Sequence, residues 1–250
     1  MMTRSQLAVV MTSGFATIAG SVLLGYIAVL GGDDPERQRE FAMHLITASL
    51  MSAPGAFAIA KIVFPETEDA PDERTAIRAM ELPGANALDA AARGARDGLH
   101  LALNVGAVLI AFVSLAALLD WPLRALGTSV SEVLGMLFTP AAWAIGVRWE
   151  DAQTIGGVMG LQIVATEFLA YARLSEIASD TDSGLDPRSI AIATYALCGF
   201  CNFASIGIQL GGLGELAPSR REEFARLVVR AMLGGMLACW MTASIAGLFL

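Results

Sequence analysis

Apolar residues run along this chain in long blocks, divided by short polar stretches dense in Pro, Gly and charge. A helix crossing a hydrocarbon core of about 30 Å needs about 20 largely apolar residues. Five blocks meet that length, at residues 7–30, 41–63, 98–119, 190–213 and 229–250. The first carries no charge, and the second has Lys61 near its end. The stretches 31–40 (GGDDPERQRE), 65–97, 179–188 and 218–223 read as polar connections, none long enough for a soluble domain.

Residues 131–175 follow neither pattern. The apolar run 133–147 is too short to span and suits a helix lying in the membrane interface. The Gly- and Ala-rich run 149–165 then continues to Thr166-Glu167, and apolar residues resume over 168–174. Helix, polar break and second helix describe a re-entrant hairpin with its tip at Thr166-Glu167. Broken backbone at membrane depth survives only where it is buried in protein or lines a watery cavity. A second pattern joins distant blocks. The patch Gly14-Phe15-Ala16-Thr17-Ile18 in the first span resembles Gly199 to Ile206 (GFCNFASI) in the fourth. Oppositely directed spans with matching breaks are how inverted-repeat transporters build a site at the midplane.

Composition narrows the class. Hydrophobic residues make up 55% of the 250, mean hydropathy is +0.60, and only 16% are charged, against about a quarter in soluble domains. The net charge of −8, with no basic face, excludes a nucleic-acid partner. Cys198, Cys201 and Cys239 all lie inside apolar runs and read as packing residues, not a disulfide framework. No signal peptide is expected, because the first run is too long for a cleavable segment. Placing the chain start and the 65–97 and 216–228 connections on one side, with the span-end residues Lys61 and Arg230, gives that side ten of the sixteen Lys and Arg, so it should be cytoplasmic.

Few residues could carry chemistry. A carboxylate such as Glu167, deep in an apolar segment, costs about 2.5–3.5 kcal/mol on insertion scales, and ligand binding or ion coupling usually repays it. Asn202 and Ser205, three apart, share a helix face and could present an amide and a hydroxyl to one cavity; interhelical hydrogen bonding is the plainer alternative. Gln209 reads as such helix glue. Ser13, Thr17 and Ser21, with the carbonyl of an unwound turn such as that of Ile18, could coordinate Na+, or could simply permit close packing. His44 and His100 lie near span ends without metal-ligand spacing. The absence of HExxH, P-loop and serine-nucleophile motifs leaves an enzyme without support.

Taken together, MTSGFATIAGSVLLGY, HLITASLMSAPGAFAIAKIVFPETE, NALDAAARGARDGLHLALNVGAVLIAF, LQIVATEFLAY and YALCGFCNFASIGIQLGGLGELAP resemble the concentrative nucleoside transporter family, the nucleoside–cation symporters, in order along the whole chain. The resemblance implies an all-α integral membrane protein with a partial inverted-repeat transporter fold: five transmembrane helices, an interfacial helix and a re-entrant hairpin. On that pattern residues 1–64 hold two spans of an incomplete first repeat, 65–97 a cytoplasmic connection, 98–120 a scaffold span and 131–250 the second repeat. Three protomers would form a homotrimer in the inner (cytoplasmic) membrane. The implied activity is uptake of nucleoside driven by Na+ or H+ through alternating access, with no other cofactor. Glu167, Asn202, Ser205 and the pocket aromatic Phe200 match the family's nucleoside-binding positions, and Thr17 and Ile18 match its cation pair.

There are departures. Gln162 and Thr166 stand where the family hairpin has Lys and Asn. The family's first re-entrant hairpin, which reads the nucleobase and completes the cation site, has no counterpart here. The expectation is a chain lacking its amino-terminal half, as a fragment, a split transporter or a remnant. The alternative function is a non-transporting or partner-dependent membrane subunit.

Overall fold

A computed structural model describes residues 2–69, 86–180 and 184–250. The regular structure among these residues is helical throughout. The first apolar block is two helices rather than one continuous helix, α1 (Arg4–Ala16) and α2 (Gly20–Gly31). Between them Thr17 (φ −119°, ψ 157°) and Ala19 (φ −65°, ψ 138°) are extended. Gly32 at φ 56° turns the chain after α2, a left-handed conformation that costs glycine nothing.

The polar connection 31–40 is shorter than the sequence suggests. Asp34 caps α3 (Pro35–Val63), accepting from the amides of Glu36 and Arg37, and Pro35 fills the first helical position, where a missing N–H costs nothing. In the same way α4 (Ala87–Ala125) begins inside the stretch read as the 65–97 connection, capped by Asn86. Residues 70–85 of that connection lie outside the described residues. The interfacial candidate is α5 (Val130–Ala144), packed along α6 (Trp149–Val164). A two-residue break, Ala165-Thr166, separates α6 from α7 (Glu167–Ser179). The fourth block is again two helices, α8 (Pro187–Ala196) and α9 (Phe203–Leu216), parted by residues 197–202. A short 3-10 turn, Pro218–Arg220, leads into α10 (Arg221–Gly247), which therefore starts eight residues before the apolar block does.

Helix α10 is the pillar of the packing, lying against α1, α3, α8 and α9. Its close approach to α1 depends on Gly235, where a Cβ would fall 2.6 Å from the Phe15 Cβ. One buried cluster gathers Leu7, Met11, Phe15, Phe224, Leu227 and Met232. The other gathers Tyr26, Leu45, Tyr171, Leu174, Ile192 and Leu197 around the hairpin. Arg188, at the start of α8, ties the ends together by donating to the carbonyls of Gly146 (2.7 Å) and Gly247.

Large apolar side chains also face outward. Met43, Ile46, Leu50 and Phe57 expose a stripe along α3, and Val229, Leu233 and Leu237 do so along α10. Both helices are long and apolar enough to cross a membrane. Stripes of this kind suit a helix bathed in lipid and would be a liability in water.

Candidate functional site

The helix break at residues 165–166 is capped locally. Thr166 is extended (φ −153°, ψ 160°), and its hydroxyl accepts from the Leu169 amide at 3.3 Å. Glu167 is thus the first residue of α7, one place after the tip, and only 6% exposed. Asn202 caps α9 in the same manner, its Oδ1 accepting from the Ser205 amide at 2.8 Å. With its oxygen so used, the Asn202 amide nitrogen is left to donate, and it donates to Glu167 Oε2. The other carboxylate oxygen, Oε1, accepts from the Tyr26 hydroxyl at 2.8 Å.

Glu167, Asn202 and Ser205 therefore meet, all three buried. Both partners of the carboxylate are uncharged, and the first turns of α7 and α9 converge on it. Helix N-termini carry partial positive charge, which favours an anion there. Phe200, half-buried, lies in the 197–202 break two residues before Asn202 and packs against the cluster containing Tyr26 and Tyr171. The Tyr26 ring lies 4.7 Å from that of Tyr171, whose hydroxyl donates to the Thr194 carbonyl at 2.9 Å.

The other break holds Thr17 and Ile18. Thr17 is half-buried, and its hydroxyl donates back to the Ser13 carbonyl at 2.8 Å; Ile18 is 7% exposed. The Ser21 side chain lies outside the described residues. The two breaks cross. The thiol of Cys201 donates to the Phe15 carbonyl (3.3 Å), and that of Cys239 faces the carbonyls of Cys198 (3.2 Å) and Ala16 (3.6 Å). A Cβ on Gly199 would sit 2.7 Å from the Phe15 oxygen, so only glycine lets the breaks approach this closely. The three cysteines are free and buried, and they serve as small packing groups that also satisfy carbonyls.

Two residues escaped the sequence. Tyr26 is an aromatic in an apolar run with no polar neighbour to mark it; the general need of a buried hydroxyl for a partner was the one available signal. Gln162 stood out only as a departure, yet its side-chain amide donates to the carbonyls of Leu197 (3.1 Å) and Gly199 (2.8 Å). Gln209, expected as helix glue, donates to the Met11 carbonyl at 2.8 Å. Among the described residues no group of three or more His, Cys, Asp or Glu is placed to hold a metal ion.

Known proteins resemble this chain in sequence and fold. The family described as "Na+ dependent nucleoside transporter C-terminus" matches residues 44–247. The chain is 41% identical, over its whole length and 60% of the relative's, to the uncharacterized transporter YutK of Bacillus subtilis. It is 38% identical to the nucleoside permease NupC of Helicobacter pylori, covering 100% of this chain and 59% of the permease. CNTnw in an inward-facing substrate-bound state superposes with a TM-score of 0.83 at 38% identity, covering 99% of this chain and 58% of that one. A CNTnw variant in an outward-facing state gives a TM-score of 0.86 at 38% identity, over 100% of this chain and 59% of that one. The chain thus spans about 60% of the length of these bacterial relatives.

Proposed function

This chain belongs to the Na+-dependent nucleoside transporter family, and from that premise we propose that it forms the ribose-binding part of a cation-coupled nucleoside transporter. The observation that carries the proposal is the buried Glu167 carboxylate at a helix break, shared between Asn202 and Tyr26. Carboxylate, amide and hydroxyl on one wall can accept from and donate to the hydroxyls of a sugar. A nucleoside entering the site exchanges its ribose hydroxyls for the internal bonds of Glu167, while Ser205 and Phe200 border the same wall.

The cation is assigned to the first break, at the Thr17 side-chain oxygen and the Ile18 carbonyl. Na+ is the coupling ion favoured by the family description; H+ is the competing ion. Transport follows alternating access, the two conformations differing in how tightly they hold nucleoside and cation, since equal affinity for both would shift nothing. The fold is proposed to sit in the inner (cytoplasmic) membrane as a homotrimer. Residues 1–64 supply spans of the first repeat, 65–97 the cytoplasmic connection, 98–120 a scaffold span and 131–250 the second repeat.

The test is uptake of radiolabelled uridine and adenosine by cells that lack nucleoside transport of their own and express this protein. Accumulation that collapses when the Na+ gradient is removed supports the assignment. Accumulation driven only by a pH gradient transfers the coupling to H+. No accumulation and no nucleoside binding to the purified protein would refute the function.

A further inference from the structure

Residues 197–202 present Asn202 to Glu167, yet they lie outside any helix and so need other partners for their carbonyls. Cys239 supplies one weak bond, to Cys198. The strong bonds come from the hairpin. Gln162, 2% exposed in the last turn of α6, directs its amide nitrogen at the carbonyls of Leu197 (3.1 Å) and Gly199 (2.8 Å). Those carbonyls bracket a tight turn in which the Gly199 amide bonds to Leu197. Beyond Gly199 the chain turns once more, Asn202 N–H to the Phe200 carbonyl at 3.0 Å, and reaches the Asn202 cap. The hairpin therefore grips the break twice: Gln162 before the tip holds its start, and Glu167 after the tip holds its end.

We propose that Gln162 is a positioning residue, pinning the 197–199 turn so that Asn202 stays in register with Glu167. The proposal rests on the nucleoside reading for its ligand, though not for its mechanics. A side chain without N–H donors would leave the Gly199 carbonyl unpaired and that of Leu197 with only the Gly199 amide, and so free the turn. An ammonium at the same place could donate to both oxygens, because Lys carries three donors. Gln162→Leu should therefore break the grip and Gln162→Lys should keep it.

Two measurements on the protein purified from its own membrane separate the possibilities. The first uses no nucleoside. Cys198 and Cys201 lie in the break and are buried, so the rate at which N-ethylmaleimide labels them, read by mass spectrometry, reports its opening. Gln162→Leu should speed that labelling about tenfold, the equivalent of about 1.4 kcal/mol, and Gln162→Lys by less than about threefold. The second is the Kd for uridine against 3′-deoxyuridine. Gln162→Leu should weaken uridine about tenfold and shrink its advantage over the deoxy analogue, an effect that general loosening would not select. In an Asn202→Ala background the same substitution should add less than about twofold, because residues acting as one unit are not additive.

Unchanged labelling in Gln162→Leu overturns the proposal. So does faster labelling with uridine affinity unchanged, or a full additive loss in the Asn202→Ala background. If the unsubstituted protein binds no nucleoside while the labelling rates behave as stated, the grip stands and the nucleoside function falls.

Discussion

Glu167→Gln is the substitution whose consequence follows most directly from the geometry. The carboxylate accepts one hydrogen bond on each oxygen, from Tyr26 Oη at 2.8 Å and from Asn202 Nδ2. An amide offers one oxygen and one NH2. If the NH2 faces Tyr26, that hydroxyl can accept from it but its own proton loses its acceptor; if it faces Asn202, two NH2 donors meet. Either way one bond is lost and the surviving one loses its charge assistance. Hydrogen bonds to a charged group contribute about 1.5–3 kcal/mol, so a sugar hydroxyl that used the lost oxygen should bind about 10- to 100-fold more weakly. Folding should not fall in step, because removing a buried charge relieves its desolvation. Isothermal titration with uridine, beside a thermal melt in detergent, reads both quantities. Glu176→Gln is the control, an exposed carboxylate on the same helix paired with Arg173 at 2.9 Å, where a surface pair contributes about 0–1 kcal/mol. A Glu167→Gln protein that binds uridine with the original Kd would refute the placement of the sugar at this wall.

Three further outcomes are expected. Thr17→Val removes an oxygen from the first break, and should raise the Na+ concentration for half-maximal uptake about tenfold, whereas Thr17→Ser should stay within about twofold; uptake titrated with Na+ checks it. Gly235→Ala would drive a methyl to 2.6 Å from the Phe15 Cβ and 3.2 Å from the Ala16 nitrogen. Overpacking of that kind costs about 1–3 kcal/mol and should lower the melting temperature by about 2–12 °C. Gly211→Ala, with open space around it, should lower it not at all. Arg188→Met strips the bonds to Gly146 and Gly247 and should lower the melting temperature by about 5 °C or more, with Arg188→Lys recovering less than half, since separate nitrogens, Nη1 and Nη2, reach the two carbonyls and the shorter Lys carries a single one.

Much of this was legible in the sequence, for reasons that differ by residue. Glu167 announced itself because a carboxylate in an apolar run is expensive, and the break beside it follows from Thr166, whose hydroxyl can cap a helix. Helix ends were read less well. Hydropathy marks where lipid begins and not where a helix does, so α3, α4 and α10 all start inside stretches that looked like connections. For α3 and α4 the start signals were present as Asp34-Pro35 and Asn86, caps whose physics is independent of hydrophobicity. The division of the first block was foreshadowed by Thr17-Ile18 and its echo around Asn202, although no proline marks either place. Tyr26 and Gln162 were not legible as site residues, because each acquires its role from a partner more than thirty residues away in sequence, Glu167 and the 197–199 turn.

The two breaks are alike in backbone but differ in the groups they offer, and that difference sorts their ligands. At the second, the beginnings of α7 and α9 point at Glu167, so a buried carboxylate without a cationic partner is held by amide dipoles and by Asn202 and Tyr26. At the first, the end of α1 delivers carbonyls. Among the described residues those of Phe15 and Ala16 are met by thiols, which are weak donors, and the Thr17 hydroxyl spends its proton on Ser13. The equivalent carbonyls at the second break, of Leu197 and Gly199, are taken up by the stronger amide donor of Gln162. Oxygen with lone pairs to spare therefore accumulates at the first break, beside the negative end of a helix, which is where a cation gains most. The breaks touch through Cys201, Cys239 and Gly199, so on the proposed assignment a cation tightening the Thr17–Ile18 turn would pull on the same backbone that carries Asn202 to Glu167. Coupling between the two ligands then needs no long pathway, only the contact of one unwound turn with the other.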